Sequence, residues 1–195
     1  MARAEVRAVE VYSDPPIART LFSTTRFAWL WAAARVWLGW QWIEAGLHKV
    51  GVEAWTGNGM ALKGFWERAI QVPPPPARPP IAFDWYRSFI QYLLDTQSYS
   101  WFAKLVAYGE LAIGIALVIG AFVGIAAFFG AFMNWNFMMA GTASTNPLLF
   151  TAAMLLILAW KVAGYYGLDR VLLPVLGTPW KPGRVFNGRT PSATS

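Results

Sequence analysis

Two charged side chains stand inside apolar runs where surface charge does not belong: Arg35 within residues 27–47, and Glu110 within residues 101–141. A lone charge at the middle of a bilayer costs at least about 2.5–3.5 kcal/mol, so each needs a partner. Depth arithmetic suggests one. At 1.5 Å per residue, Arg35 lies roughly 12 Å, and Glu110 on a returning helix roughly 14 Å, from the same end of its span. Opposite charges at matched depth predict an intramembrane Arg35–Glu110 ion pair. Such a pair serves either as a packing lock that fixes register or as part of a functional relay.

A second polar layer lies toward the other end of the same runs. Glu44, His48 and Lys49 close the first run, Lys104 and Tyr108 open the second, and Asn134, Asn136 and Asn146 follow. Amide, ammonium and indole donors beside Trp40, Tyr108 and Trp135 suit the carbonyls and flat ring of a quinone. Glu44, Lys49, Lys104, Tyr108, Asn134, Asn136 and Asn146 are therefore the candidate quinone or substrate-binding residues. At 100° per residue Asn134 and Asn136 point to opposite helix faces, so at most one faces a ligand and the other bonds between helices. Glu44, His48, Lys49 and Lys104 are near enough to the interface to snorkel into water instead. The chain has no cysteine and one histidine, which excludes disulfides, thiolate catalysis, Cys-ligated clusters and a multi-His metal site. No metal and no covalently bound cofactor is expected. Electrons would be carried by a bound or lipid-soluble carrier, or by a partner subunit.

The elements that hold these residues are helices. Of 195 residues, 56% are hydrophobic and 13% charged, with a mean hydropathy of +0.39; this is too little charge to cover a soluble surface of that size. The 12 tryptophans suit repeated crossings of a headgroup layer. The net charge of +6 comes from basic residues in the tails and one long loop, where lipid and topology explain it better than nucleic acid. The periodicity predicts an all-α integral membrane four-helix bundle with spans at about 27–47, 101–119, 122–141 and 147–166. The apolar stretch 101–141 would extend about 60 Å as one helix, so Gly120 and Gly124 mark a hairpin within it. Residues 1–26 read as a tail in which Pro15 and Pro16 break any long helix, and 171–195 as a basic tail. Loop 48–100 carries short helices over 60–70 and 83–94, separated by an extended proline-rich stretch, and forms an extracytoplasmic cap lying at the interface. Ala127 and Ala131 supply small-residue spacing for a helix contact, and Lys161 snorkels. No secretory signal is visible. Lysine and arginine are richer in the tails than in the loop, which places both termini in the cytoplasm and the protein in the inner membrane of a bacterium.

Five stretches in order resemble the DoxX/DoxD family of membrane proteins. They are Arg35 with Gly39 and then EAGLHK over 44–49; YGELAIG over 108–114; MNWNFMMAG over 133–141; STNP over 144–147; and GYYGLDR over 164–170. The likeness covers about residues 28–173 and so takes in nearly all of a domain drawn at 27–170. It implies a four-helix membrane bundle tied to redox chemistry. The WTGNGMALK stretch over 55–63 looks like the DoxD-like branch, a subunit of thiosulfate:quinone oxidoreductase. On that basis the chain is expected to be a quinone-interacting membrane subunit linked to sulfur-compound oxidation, with Lys49 and Lys63 attracting an anionic donor. It would depend on a partner subunit, since no DoxA-like segment is present. The alternative is a non-catalytic subunit that anchors a larger membrane complex.

Overall fold

The computed structural model of the chain describes residues 13–178 and 181–187, so Arg3, Arg7 and Arg189 of the expected tails lie outside the described residues. The fold is all-α, with a two-residue β-hairpin near the end (Gly177–Thr178 against Lys181–Pro182). Pro15 and Pro16 do not merely break helix. They start one, α1 (Pro16–Ser23), with proline at its first position, where no amide proton is needed. The first long helix, α2 (Ala28–Leu47), matches the first apolar run. Within the loop lie α3 (Met60–Ala69) and α4 (Asp84–Asp95), close to the expected segments.

The apolar stretch folds back as α5 (Tyr99–Ile119) and α6 (Val123–Met139). The turn is Gly120–Ala121–Phe122, with Gly120 at φ 71° and Phe122 at φ 49°. Gly124 is not part of it and sits in the first turn of α6. The expected fourth helix is broken: α7 (Asn146–Leu158) stops at Ala159 and a single turn, α8 (Trp160–Ala163), follows before α9 (Asp169–Leu176) and the short α10 (Arg184–Asn187). Among the described residues, α5 is long and apolar enough to cross a membrane, while α6 and α7 are as apolar but shorter.

The tightest pairings are α2 with α5 and α6 with α7. Glycine explains the first. A Cβ on Gly39 would stand 2.8 Å from the Gly114 carbonyl oxygen, and one on Gly46 would stand 2.9 Å from the Leu111 amide nitrogen. Backbones meet there with no side chain between them. Ala127 and Ala131 are buried on α6, in the core shared with Leu117 of α5 and Leu156 of α7. A second core forms where α3 and α4 fold over one end of the bundle, around Trp66, Ile81, Tyr86 and Ile90. α5 and α6 touch each other less than either touches its main neighbour. That splay makes room for a cavity under α3 and α4.

Candidate functional site

The register of α2 on α5 decides what the buried charges meet. Gly46 faces Leu111 and Gly39 faces Leu117 and Val118, so the helices run antiparallel, with Arg35 level with the end of α5. Glu110 is level with residue 46, eleven residues along α2 from Arg35. That is a separation of roughly 16 Å along the axis at 1.5 Å per residue. The expected Arg35–Glu110 ion pair is therefore absent. Depth measured from the start of each run fails because α2 begins beyond the α5–α6 turn, and α1 and α8 cover its extra length.

Arg35 instead binds backbone. Its Nη1 donates to the carbonyls of Leu117 (2.6 Å) and Val118 (2.7 Å), its Nε to Ala163 (3.0 Å), and its Nη2 to Tyr166 (2.8 Å). Leu117 and Val118 are in the last turn of α5 and Ala163 ends α8, where carbonyls have no intrahelical partner. One guanidinium thus caps two helix C-termini, the ends that favour a cation. Asp169 does the opposite beside it. Its Oδ1 accepts from the Phe122 amide (2.6 Å) and its Oδ2 from the Val123 amide (2.9 Å), capping the start of α6. Burial pushes the Asp169 carboxyl upward, while the two amides and the Arg35 charge pull the other way. The carboxylate lies in the GLDR stretch, yet its role escapes sequence reasoning, because a charge just past a span looks like an interface residue.

Glu110 is held by Lys49, Nζ to Oε2 at 2.7 Å, with the glutamate side chain 2% exposed and the lysine 19%. Lys49 also donates to the Ala45 carbonyl (3.1 Å) and lies over the Trp55 ring, 5.2 Å from its centre. Lys63 faces Glu67 at 3.7 Å and the Tyr99 ring. The two lysines expected to attract an anion thus each stand beside a carboxylate. Glu44, His48, Lys104 and Tyr108 point outward and are exposed. Asn146 is half-buried and donates to the Thr142 carbonyl at 2.9 Å, an α7 start bonded to its own turn.

The two asparagines part company as their spacing requires. Asn134 is completely buried in the bundle, and neither its Oδ1 nor its Nδ2 has a partner. Asn136 borders a cavity of about 760 Å³ between α5 and α6. Its Oδ1 and its carbonyl both accept from the Tyr86 hydroxyl (3.1 and 3.2 Å), and its Nδ2 donates to the Phe132 carbonyl (2.8 Å). The cavity walls are Phe102, Leu105 and Ile113 on α5 and Phe129, Met133 and Trp135 on α6, and Trp66, Tyr86 and Phe89 form its roof. Trp135 stands edge-on to Tyr86 at 6.2 Å and stacks on Phe132 at 6.1 Å. Tyr86 is 3% exposed, and burial pushes its phenol up to about 12, so it remains a neutral donor. Of the expected site residues, Asn136 alone lines this cavity. Lys49 and Glu110 meet elsewhere, and the roof residues were missed, because apolar aromatic helices in a loop read as interfacial anchors. Trp135, expected as aromatic company, is in the wall; Trp40 and Tyr108 are on the outside.

Compared with known protein families, with curated proteins and with solved structures, the chain matches none.

Proposed function

We propose that the chain is a four-helix membrane subunit of a redox complex, and that it binds quinone in the cavity between α5 and α6. The observation that carries the ligand reading is the cavity itself. Its volume falls in the range of small-molecule sites, its walls are aromatic and aliphatic, and a single polar pair, Tyr86–Asn136, is at its edge. In this reading a flat ring would lie against the aromatic walls, which include Phe129, Trp135 and Phe89, and the Tyr86 hydroxyl would offer its proton to a ring carbonyl in place of Asn136.

The membrane reading is supported by what the bundle exposes. Ile115, Ile119, Ile125, Phe128, Phe132 and Leu158 are each between 45% and 58% exposed on α5, α6 and α7, an apolar surface that water does not tolerate and hydrocarbon does. The four spans in this reading are α2, α5, α6 and α7 with α8. α3 and α4 form the extracytoplasmic roof, and both termini are on the cytoplasmic side of a bacterial inner membrane. The resemblance to DoxX/DoxD proteins points the same way and suggests a sulfur compound such as thiosulfate as the electron source. With Lys49 and Lys63 each beside a carboxylate, that donor would be handled by a partner subunit.

Gly109 provides the test. It lines the cavity on α5, and a Cβ there would find only the Met133 sulfur, at 3.9 Å. Gly109→Leu therefore fills the space without disturbing a helix contact. Protein purified in a mild detergent should release quinone on solvent extraction, and Gly109→Leu should release several-fold less. Absence of quinone from the wild type in several detergents, or equal amounts in both, would end the proposal. The second reading, a non-catalytic anchor, draws on Arg35 and Asp169 being fully engaged in capping. It predicts a stable large complex whose yield is the same for both chains.

A further inference from the structure

Among the described residues, three buried polar atoms in the bundle interior lack partners: the indole Nε1 of Trp42 on α2 and the Oδ1 and Nδ2 of Asn134 on α6. Trp42 is 3% exposed and Asn134 not at all. Leaving such a group unbonded costs about 1–3 kcal/mol, and three together in one interior call for a missing partner.

Contacts place them around one spot. A Cβ on Gly130 would stand 3.1 Å from the Trp42 Nε1 and 3.5 Å from the Ile113 Cγ2. The indole nitrogen thus lies against α6 where α5 also arrives. Asn134 is four residues beyond Gly130, on the same helix face and one turn nearer the roof. Glu110 is three residues from Ile113 on α5, also one turn nearer the roof, and the neighbouring Gly109 faces Met133, next to Asn134. Two helices thus bring an indole N–H and a carboxamide to within about one helical turn of each other.

We infer that bound water lies between these two side chains and bridges Trp42 and Asn134. The chemistry of the walls selects the occupant. Two donors, the indole N–H and the carboxamide N–H₂, and one acceptor, the carboxamide oxygen, carry no formal charge that would offset the dehydration of an ion. A molecule that both donates and accepts, and that needs two to four polar neighbours, is water. The inference does not depend on what fills the cavity between α5 and α6, whose walls do not include Asn134.

Protein isotope-labelled at the indole nitrogens and placed in lipid nanodiscs tests this by nuclear magnetic resonance. The Trp42 indole signal is assigned by its loss in Trp42→Phe. The expected result is magnetisation transfer between that proton and long-lived bound water, lost in Asn134→Leu. Asn134→Ser, smaller but still polar, should retain the transfer, and it keeps the test decisive if the leucine variant does not fold. A resolved Trp42 signal with no transfer from water overturns the inference. So does a transfer that persists in Asn134→Leu, or one that vanishes in Asn134→Ser.

Discussion

The two ends of the bundle treat buried polarity in opposite ways. At the turn between α5 and α6, Arg35 makes four bonds to carbonyls and Asp169 two to amides. The backbones of Gly120 and Gly167 approach so closely that a Cβ on Gly167 would stand 2.7 Å from the Gly120 Cα. Little there is left to bind anything. Under the roof, by contrast, Trp42 and Asn134 have unpartnered atoms, Glu110 is held by one partly exposed lysine, and a cavity lies between helices. Charge buried in an apolar interior carries a comparable cost at either end, so burial alone does not mark function. What separates a lock from a site is whether the polar atoms are already satisfied.

The largest effect should come from opening the lock. Arg35→Leu leaves four carbonyls without a donor, three at two helix ends and that of Tyr166 in the turn beyond, and at about 1–3 kcal/mol for each orphaned group the loss is roughly 4 kcal/mol or more. Arg35→Lys keeps the charge but not the planar fork, and should recover only part of it. Asp169→Asn removes the charge and one of the two amide bonds, at a cost of about 1–2 kcal/mol. Unfolding in mixed micelles would measure all three. An Arg35→Leu protein as stable as wild type would erase the contrast between the two ends.

The Lys49–Glu110 pair sharpens the comparison, because its partners are unequally buried. Lys49→Met strands a carboxylate that is 2% exposed, which should cost about 3 kcal/mol. Glu110→Gln leaves a lysine that can swing toward water, and should cost nearer about 1 kcal/mol. The double variant should be more stable than Lys49→Met alone. A double-mutant cycle in which the single losses are equal and additive would mean that the two side chains do not interact.

Much of this architecture was legible in the residues, and what was not has a physical cause. The apolar runs gave helix positions within a few residues for α2, α3, α4, α5 and α6, since length and periodicity are local properties. The break at Ala159 was not legible, because nothing in the stretch AMLLILAWKVA over 153–163 has a low enough helix propensity to announce it. Arg35 and Glu110 were both correctly singled out as buried and helix-bound. Their partners were not, because pairing depends on where α2 slides along α5, and the Gly39–Gly114 contact sets that at a register no depth count includes. Asn134 and Asn136 were separable by angle alone, but which one met the cavity depended on α4 arriving from the loop with Tyr86.

Tyr86 gives the smallest and most specific effect. In the fold its phenol holds its proton up to about 12 because burial disfavours the phenolate, whereas in the unfolded chain it ionises near 10. Its contribution is fully present below pH 10 and is lost as pH rises through 12, since only the unfolded state gains by ionising in that window. The loss attributable to this one residue should reach roughly 2–3 kcal/mol. Near neutral pH, Tyr86→Phe should cost only about 1 kcal/mol, the net worth of the bond to Asn136. The variant should then lose less stability than wild type between pH 10 and 12, and the two curves should cross. Parallel curves would mean that water reaches the Tyr86 hydroxyl and that the roof does not seal the cavity edge, placing the roofed end closer to an open cleft than to a dry site.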